Sequence, residues 1–277
     1  MKKHKALRVL LILSAVLAAW LLWTNVRFET THISIENEKI PAAFDGFKIA
    51  EAADLHNHPW GRRLIDRLRA EQPDLIAVTG DLVDSSHTDT ETAMEFIREA
   101  VKIAPVYYVT GNHEAWLDDY GSLEAQLRGA GVHMMDDRTE WLERGGARIC
   151  IAGVQDPDFV EGDFFEGVQA AVVQKKLEPL ADVEEYCIVL CHRPERFEEY
   201  VQAGADLALT GHAHGGQVRI PFVGGLIAPN QGFFPKYTEG VYHENQTDMV
   251  VSRGLGNSVI PVRINNTPEL VIVTLKH

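Results

Sequence analysis

FKIAEAADLH (47–56), DLIAVTGD (74–81) and VYYVTGNHE (106–114) each run through apolar residues into a cluster of Asp, Asn or His. LIAV shows no polar alternation, as expected of a strand buried on both faces. Between and after them stand RRLIDRLRAE (62–71), TAMEFIREAVKIA (92–104) and SLEAQLRGAG (122–131), which are amphipathic at helical spacing. Strand, helix, strand, helix is the pattern of an α/β sheet. Farther out, ARICIAGV (147–154), EYCIVLCH (185–192), DLALTGHAH (206–214), MVVSRG (249–254) and ELVIVTL (269–275) make the second half richer in strand, with a Gly/Pro-rich stretch over 215–240. No low-complexity linker, repeat or long charge block divides these elements, so they read as one unit.

The chain has 277 residues, 45% hydrophobic, 8% aromatic and 24% charged. That is enough for one large core and unlike disordered, collagen-like or coiled-coil chains. Five of the 26 basic residues (Lys2, Lys3, Lys5, Arg8 and Arg27) lie in the first 28 positions, which hold no acid; the remainder sets 21 basic against 40 acidic residues, a net −19. Such a surface repels a polyanion, and no nucleic-acid partner is expected.

VLLILSAVLAAWLLWTNV (9–26) carries no charge and as a helix would span about 27 Å, just enough to cross a bilayer. Four basic residues precede it and only Arg27 follows closely. The positive-inside rule then leaves the N-terminus in the cytoplasm and the rest outside, as a single-pass protein of the cell membrane. Trp20 and Trp23 fall near the outer interface. A cleaved signal peptide, cut at the small residues around Val16 and Ala18, is the alternative, but its apolar region usually runs about 7 to 15 residues. The expected organisation is an anchor over 1–28 and one domain over 29–277. Cys150, Cys187 and Cys191 are too few for a disulfide framework. Cys187 and Cys191 would lie about 13 Å apart on one strand and cannot pair, so all three are expected to pack in the interior.

Five apolar runs end in Asp54-Leu55-His56, Gly80-Asp81, Gly111-Asn112-His113, His192 and Gly211-His212-Ala213-His214. In an α/β sheet, ligands bind beyond the carboxyl ends of strands, where these clusters would meet. Asp54 and His56 are two apart, as are His212 and His214, so in extended backbone each pair points the same way. Asp54, His56, Asp81, Asn112, His192, His212 and His214 make seven candidate ligands, more than one divalent ion needs and suited to two ions sharing a carboxylate. Imidazole, carboxylate and amide oxygen suit zinc, manganese or iron. Two ions about 3.5 to 4 Å apart can hold a bridging hydroxide and clamp a phosphoryl group during in-line attack. A lone Asp-x-His or Gly-Asp is common turn chemistry; the order DLH, GD, GNHE, H, GHAH, each after an apolar run, carries the weight.

In that order the sequence resembles the calcineurin-like metallophosphoesterase superfamily, over roughly Asp45 to the C-terminus. GHAHGGQVRIPFVGGLIAPNQGFFPKY (211–237) and SRGLGNS (252–258) look like its membrane-anchored or exported bacterial phosphodiesterase branch, related to UDP-diacylglucosamine hydrolases. The resemblance implies an α/β fold of two mixed β-sheets in a sandwich flanked by helices, here preceded by one transmembrane helix. It also implies two divalent ions, with Asp54, His56 and His214 on the first, Asn112, His192 and His212 on the second, and Asp81 bridging. His113 would protonate the leaving alkoxide or steady the phosphoryl oxygens, with Glu114 orienting it, while a metal-bridging hydroxide attacks a phosphomonoester or phosphodiester. Where purple acid phosphatases carry a ligand Tyr, this chain has Asp84, so Mn²⁺ or Zn²⁺ is expected ahead of iron.

Further substrate contacts are expected among His58, Glu114, Arg193, Phe233 and Phe234. His58 reads first as loop surface, and Arg193 as a bidentate phosphate donor whose neighbour Pro194 turns the chain away. Phe222, Phe233 and Phe234 either pack beneath their loop as a small core or wall in a lipid or aryl part of the substrate. Competing functions are a pyrophosphatase acting on a UDP-linked lipid, a nuclease and an inactive metal-binding scaffold. The topology counts against the first, the acidic balance against the second and the complete ligand set against the third. Oligomeric state is left open.

Overall fold

The computed structural model describes residues 2–160, 166–257 and 261–277; Ser258, which closes the SRGLGNS stretch, lies outside the described residues. In chain order the strands are β1 (Glu29–Glu36), β2 (Lys48–Ala52), β3 (Leu75–Thr79), β4 (Val106–Val109), β5 (His133–Met134), β6 (Arg138–Arg144), β7 (Ala147–Gly153), β8 (Cys187–Leu190), β9 (Leu207–Thr210), β10 (Arg219–Ile220), β11 (Gly224–Gly225), β12 (Ile227–Ala228), β13 (Gly232–Phe233), β14 (Gly240–Glu244), β15 (Thr247–Val251) and β16 (Glu269–Lys276). The α-helices are α1 (Lys2–Asn25), α2 (Arg62–Glu71), α3 (Thr90–Ala100), α4 (Asn112–Ala115), α5 (Tyr120–Gly129), α6 (Glu166–Leu177) and α7 (Phe197–Gln202).

Apolar runs that lack alternation become central strands because both of their faces are covered. In β3, Leu75 and Ala77 face one core while Ile76 and Val78 face another. Six strands form the first sheet, in the order β1-β16-β2-β3-β4-β5, and six the second, in the order β14-β15-β9-β8-β7-β6. Both sheets are mixed: β2, β3, β4 and β5 run parallel, with β16 antiparallel to β2, and β7, β8, β9 and β15 run parallel between the antiparallel edges β6 and β14.

Three apolar layers hold the stack together. Leu64, Leu68, Ile97 and Leu127 from α2, α3 and α5 cover the outer face of the first sheet. Ile49, Leu75 and Val109 meet Ile151, Ile188 and Leu209 between the sheets. Val173, Leu177, Phe197 and Tyr200 from α6 and α7 cover the second sheet. Helix starts are set by side-chain caps: Asp89 accepts from Thr92 N at 3.0 Å and Asp119 from Ser122 N at 3.1 Å. All three cysteines are free and buried.

α1 projects an apolar surface that the domain does not cover, since Leu10, Leu13, Leu17, Val9, Val16 and Trp23 are exposed. Over Leu7–Asn25 it is long and apolar enough to cross a membrane. The Gly/Pro-rich stretch after His214 is not wholly irregular. It folds into two small antiparallel pairs, β10 with β11 and β12 with β13. Phe222, Phe233 and Phe234 are exposed, so these rings do not form a private core beneath the loop.

Candidate metal centre

Five parallel strands end at one edge of the sandwich, and the loops leaving them carry all seven candidate ligands. β2 leads to Asp54 and His56, β3 to Asp81, β4 to Asn112 at the start of α4, β8 to His192, and β9 to His212 and His214. All seven are buried.

The pairs do not converge through extended backbone, as the spacing suggested. Asp54, His56, Asp81, His212 and His214 have φ of 50°, 45°, 51°, 63° and 46°, in the left-handed region that non-glycine residues rarely occupy. Strain of this kind persists only where the surroundings fix it, and it concentrates at functional sites. Glycines make the turns possible by standing against the acids. A Cβ on Gly211 would lie 2.6 Å from Asp54 Oδ2 and 2.8 Å from Ala53 Cβ, and one on Gly111 would strike Asp81 Oδ1.

The donor atoms of the candidate ligands form two groups that share one acid, and His56 also belongs to a third group with Asp84 and His113. Asp54, His56, Asp81 and His214 make the first and Asp81, His192 and His212 the second, with the atoms of each group within 4.8 Å of one another. Asp81 Oδ2 is 3.5 Å from His56 Nε2 and 3.2 Å from His192 Nε2, while its Oδ1 accepts from His113 N at 2.8 Å. His56 Nε2 and His214 Nε2 face each other at 3.2 Å, and His212 Nδ1 and His192 Nε2 at 3.1 Å. Far-side contacts orient two of the rings. His192 Nδ1 lies 2.7 Å from Thr79 O and His212 Nε2 2.9 Å from Asn230 Oδ1. In the neutral form each acceptor holds the ring proton there, with the opposite nitrogen turned inward.

The electrostatics suit a cation. Burial pushes Asp54 up to about 7, the mark of a carboxylate enclosed with too little positive charge nearby. Burial lowers His56 to about 4 and holds His212 and His214 well below the usual imidazole range, so all three are neutral, as ligands must be. Burial opposes charge on His192 too, but the neighbouring Asp81 carboxylate outweighs it and raises the ring to about 10. Asn112 Oδ1 is buried without a hydrogen-bond partner among the described residues. Convergent oxygen and imidazole donors, an under-compensated carboxylate and a spare amide oxygen fit a pair of divalent ions.

His113 stands beside this cluster, its ring 4.5 Å from that of His56. Its Nδ1 accepts from Ser85 N at 3.0 Å, which leaves the ring proton of the neutral form on Nε2. Ser85, unnoticed in the sequence, takes the orienting role expected of Glu114. Glu114 itself is no substrate contact: it is fully buried, and its oxygens accept from the amides of Asp81, Leu82 and Gly111 at 2.9, 2.9 and 2.7 Å. It ties the β3 loop to the β4 loop.

Arg193 is likewise turned inward. Its Nε and Nη2 grip Asp156 at 2.6 and 2.7 Å, and Nη1 donates to Asn230 Oδ1 at 2.9 Å beside His212 Nε2. The guanidinium is 1% exposed, so it braces the His212 side rather than facing solvent. His58 lies on Trp60, ring centroids 4.2 Å apart, in a groove of about 790 Å³ shared with Arg62 and Phe96. Phe233 and Phe234 follow Asn230 closely and are exposed. Three residues the sequence did not flag also bear on the site: exposed Trp116, 5.1 Å from the His113 ring; Asp156, the partner of Arg193; and Arg263, whose Nη2 is 3.2 Å from His214 Nδ1.

Comparison with known proteins agrees with this geometry. Residues 47–216 match the profile described as calcineurin-like phosphoesterase. An uncharacterised metallophosphoesterase of Bacillus subtilis (strain 168) is 31% identical over 258 residues, 90% of this chain and 85% of that protein. A transmembrane protein with metallophosphoesterase domain from Danio rerio is 27% identical over 279 residues, 96% of this chain and 62% of that protein. The crystal structure of TT1561 from Thermus thermophilus has the same fold, with TM-score 0.51 at 16% identity over 76% of this chain and 90% of that one.

The close approach of Gly211 to Asp54 makes a specific prediction. Gly211→Ala needs no unusual φ, so the protein should still fold, but the methyl group must displace Asp54. Divalent-ion affinity, measured by calorimetry, should fall at least about 10-fold, the range seen when groups supporting metal ligands are disturbed. Wild-type affinity in this variant would show that Asp54 is not held as described.

Proposed function

The chain belongs to the calcineurin-like phosphoesterase family and is a metal-dependent hydrolase of phosphoester bonds, and from that premise we propose that it is a membrane-anchored two-metal enzyme acting outside the cytoplasm. The observation that carries the two-metal reading is the position of Asp81, the one acid common to both donor groups. Asp54, His56 and His214 would hold one ion and Asn112, His192 and His212 the other, with Asp81 between them. An all-nitrogen-and-oxygen donor set without phenolate or thiolate favours Mn²⁺ or Zn²⁺. When bound, such a pair supplies Lewis-acid charge to the phosphoryl oxygens and a water that ionises near neutral pH.

The chain's own residues do the rest. Glu114 and the glycines fix the loops, Thr79 O and Asn230 set the protonation of His192 and His212, and the fully buried ligands keep bulk water from competing. His113, with its proton on Nε2, donates to a phosphoryl or leaving-group oxygen, assistance worth roughly 10²- to 10⁴-fold. Trp116 beside it offers a face to the substrate. Phe233 and Phe234 present an apolar wall to a lipid or aryl portion.

α1 serves as the anchor, with the boundary to the catalytic domain near residue 28. Basic residues ahead of Val9, and the name of the Danio rerio relative, support that reading.

Three tests follow from these assignments. Asp81→Asn should lower bound metal and turnover together, whereas His113→Ala should keep two metals per chain and lose about 10²-fold or more in kcat; a metal-free His113→Ala protein, or one as active as wild type, would overturn its role. Protease added to intact spheroplasts should remove the catalytic domain and leave an anchored fragment with its original N-terminus; protection of the domain would reverse the topology. Phe233→Ser and Phe234→Ser should each raise KM for a lipid-like or aryl phosphoester while sparing small phosphoesters and Tm. Equal losses on both substrates with a lower Tm would make the rings structural.

A further inference from the structure

α1 is fastened to the domain beside the metal centre. Asn25 Oδ1 accepts from Arg263 N at 2.8 Å while Asn25 Nδ2 donates to Arg263 O at 2.8 Å, a reciprocal pair that mimics a strand partner. Arg63 Nη1 donates to Val26 O at 3.0 Å, and the Phe28 and Trp60 rings meet at 5.0 Å. The helix therefore leaves the domain at a defined place. Trp23 and Arg27, with the guanidinium 4.4 Å from the ring centroid, mark its outer end; an indole paired with a cation at this position suits the boundary between acyl chains and headgroups.

An apolar surface begins at that place. Val262 and Ile264, which flank Arg263, are exposed. Ile264 bridges to Val218 and accepts from Arg219 N at 2.9 Å, which joins it to the β10–β11 hairpin. Ile220, Phe222 and Val223 at the hairpin tip are exposed too, and Phe222 is wholly so. Phe222 and Val223 are three and four residues beyond Arg219, hence within about 14 Å of the Ile264 pairing. Five exposed large apolar side chains thus run outward from the end of a helix able to cross a membrane. A soluble surface seldom gathers them so closely without a partner.

We propose that Val262, Ile264 and the hairpin tip at Ile220, Phe222 and Val223 form a second membrane contact, seated at the headgroup level of the same bilayer that α1 crosses. The inference rests on the anchor reading of α1 and adds to it a fixed posture of the domain. A lipid surface is the occupant because the patch continues the exit point of an apolar helix, and small apolar protrusions of this kind partition into the boundary between headgroups and acyl chains. The seat is also tied to the catalytic edge. The hairpin starts a few residues after His214, and Gly216 O accepts from Leu226 N at 3.0 Å, which closes its base against the turn that carries that ligand. Seating the hairpin would hold the mouth of the metal centre at a set height over the membrane, where a phosphoester carried by a lipid would lie.

Depth measurement on the full chain tests this. Single nitroxide labels would be placed by Phe222→Cys, Leu13→Cys and Glu143→Cys, the three native cysteines being buried, and each protein reconstituted in phosphatidylcholine–phosphatidylglycerol vesicles. Glu143 is the aqueous control: its neighbour Arg144 bonds Asp74 at the start of β3, opposite the metal centre. Relaxation by oxygen against a soluble nickel chelate should place the label at 222 at or below the headgroups and the label at 143 in water. A label at 222 as aqueous as that at 143 overturns the inference, and so does one that leaves water only after a lipid-like phosphoester is added, which would make the hairpin a substrate site. The label at 13 reads the anchor separately. Lipid there with water at 222 removes the seat alone, while water at both removes the anchor as well.

Discussion

An ionised carboxylate withdrawn from water must be met by positive charge or by several hydrogen-bond donors, or it will not stay ionised. Asp81, 1% exposed at the meeting point of both sheets, imposes that demand on everything near it. His113 N answers one oxygen, His56 and His192 crowd the other, and Asp54 beside it is itself under-compensated. Only side chains from many strands could gather around one acid in this way. The sandwich provides them by bringing the carboxyl ends of β2, β3, β4, β8 and β9 to a single edge, and five ligands reach the centre only by entering left-handed backbone. Glu114 meets the same demand differently and only in part: backbone amides hold its oxygens, yet burial and the charge of Asp81 still raise it to about 7. One buried acid organises the donors for an ion, and the other organises the loops that hold the first.

Much of this could be read from the chain because the central strands are buried on both faces and so appear as unbroken apolar runs that end abruptly in polar residues. LIAVTGD and DLALTGHAH declare both a strand and the side chains beyond it. The edges were silent. β1 (ETTHISIE) and β6 (RTEWLER) are half solvated and rich in charge, and β1 is a strand only because it pairs in parallel with β16, some 240 residues later, from Glu29↔Glu269 onward. No local window contains that partner. The metal ligands were legible as motifs, but the reason for their convergence was not. A two-residue spacing suggests extended backbone, whereas the positive φ at Asp54, His56, His212 and His214 depends on clearances such as that at Gly211, which are tertiary.

The supporting residues escaped notice for a related reason. Ser85, Asp156, Asn230 and Arg263 carry no motif; each acts through contacts with residues far along the chain or on other loops. Arg193 shows the converse error. Beside His192 it looked like a phosphate donor, yet Asp156 occupies its fork and Asn230 its remaining nitrogen, so its charge is neutralised before a substrate could use it. A guanidinium next to a metal ligand is worth reading as a brace until its partners are known. Arg263 is a second brace: burial lowers it to about 10, and it joins the His214 ring to the backbone that Asn25 grips at the end of α1. α1 and the candidate metal centre are therefore two hydrogen-bonded steps apart.

The acidity of the domain looks at first unsuited to an anionic substrate. Charge acts locally, however. At physiological ionic strength exposed charges more than about 8 Å apart are largely screened, so the surface total governs solubility and rejection of long polyanions more than events inside the cleft. Within the proposed centre the ligands comprise two carboxylates, Asp54 and Asp81, one amide and four imidazoles. Two divalent ions would leave that assembly about two charges positive, enough to attract one phosphoester against the distant field. The acidic surface then acts as a filter. A nucleic acid, whose charges extend far beyond the cleft, would meet repulsion along its length, while a phosphoester on a small molecule would present its charge only where bound metals outweigh the surroundings. Under the proposed anchoring, confinement by α1 would act in the same direction, since a tethered domain searches a layer next to the bilayer and gains effective concentration toward substrates held there.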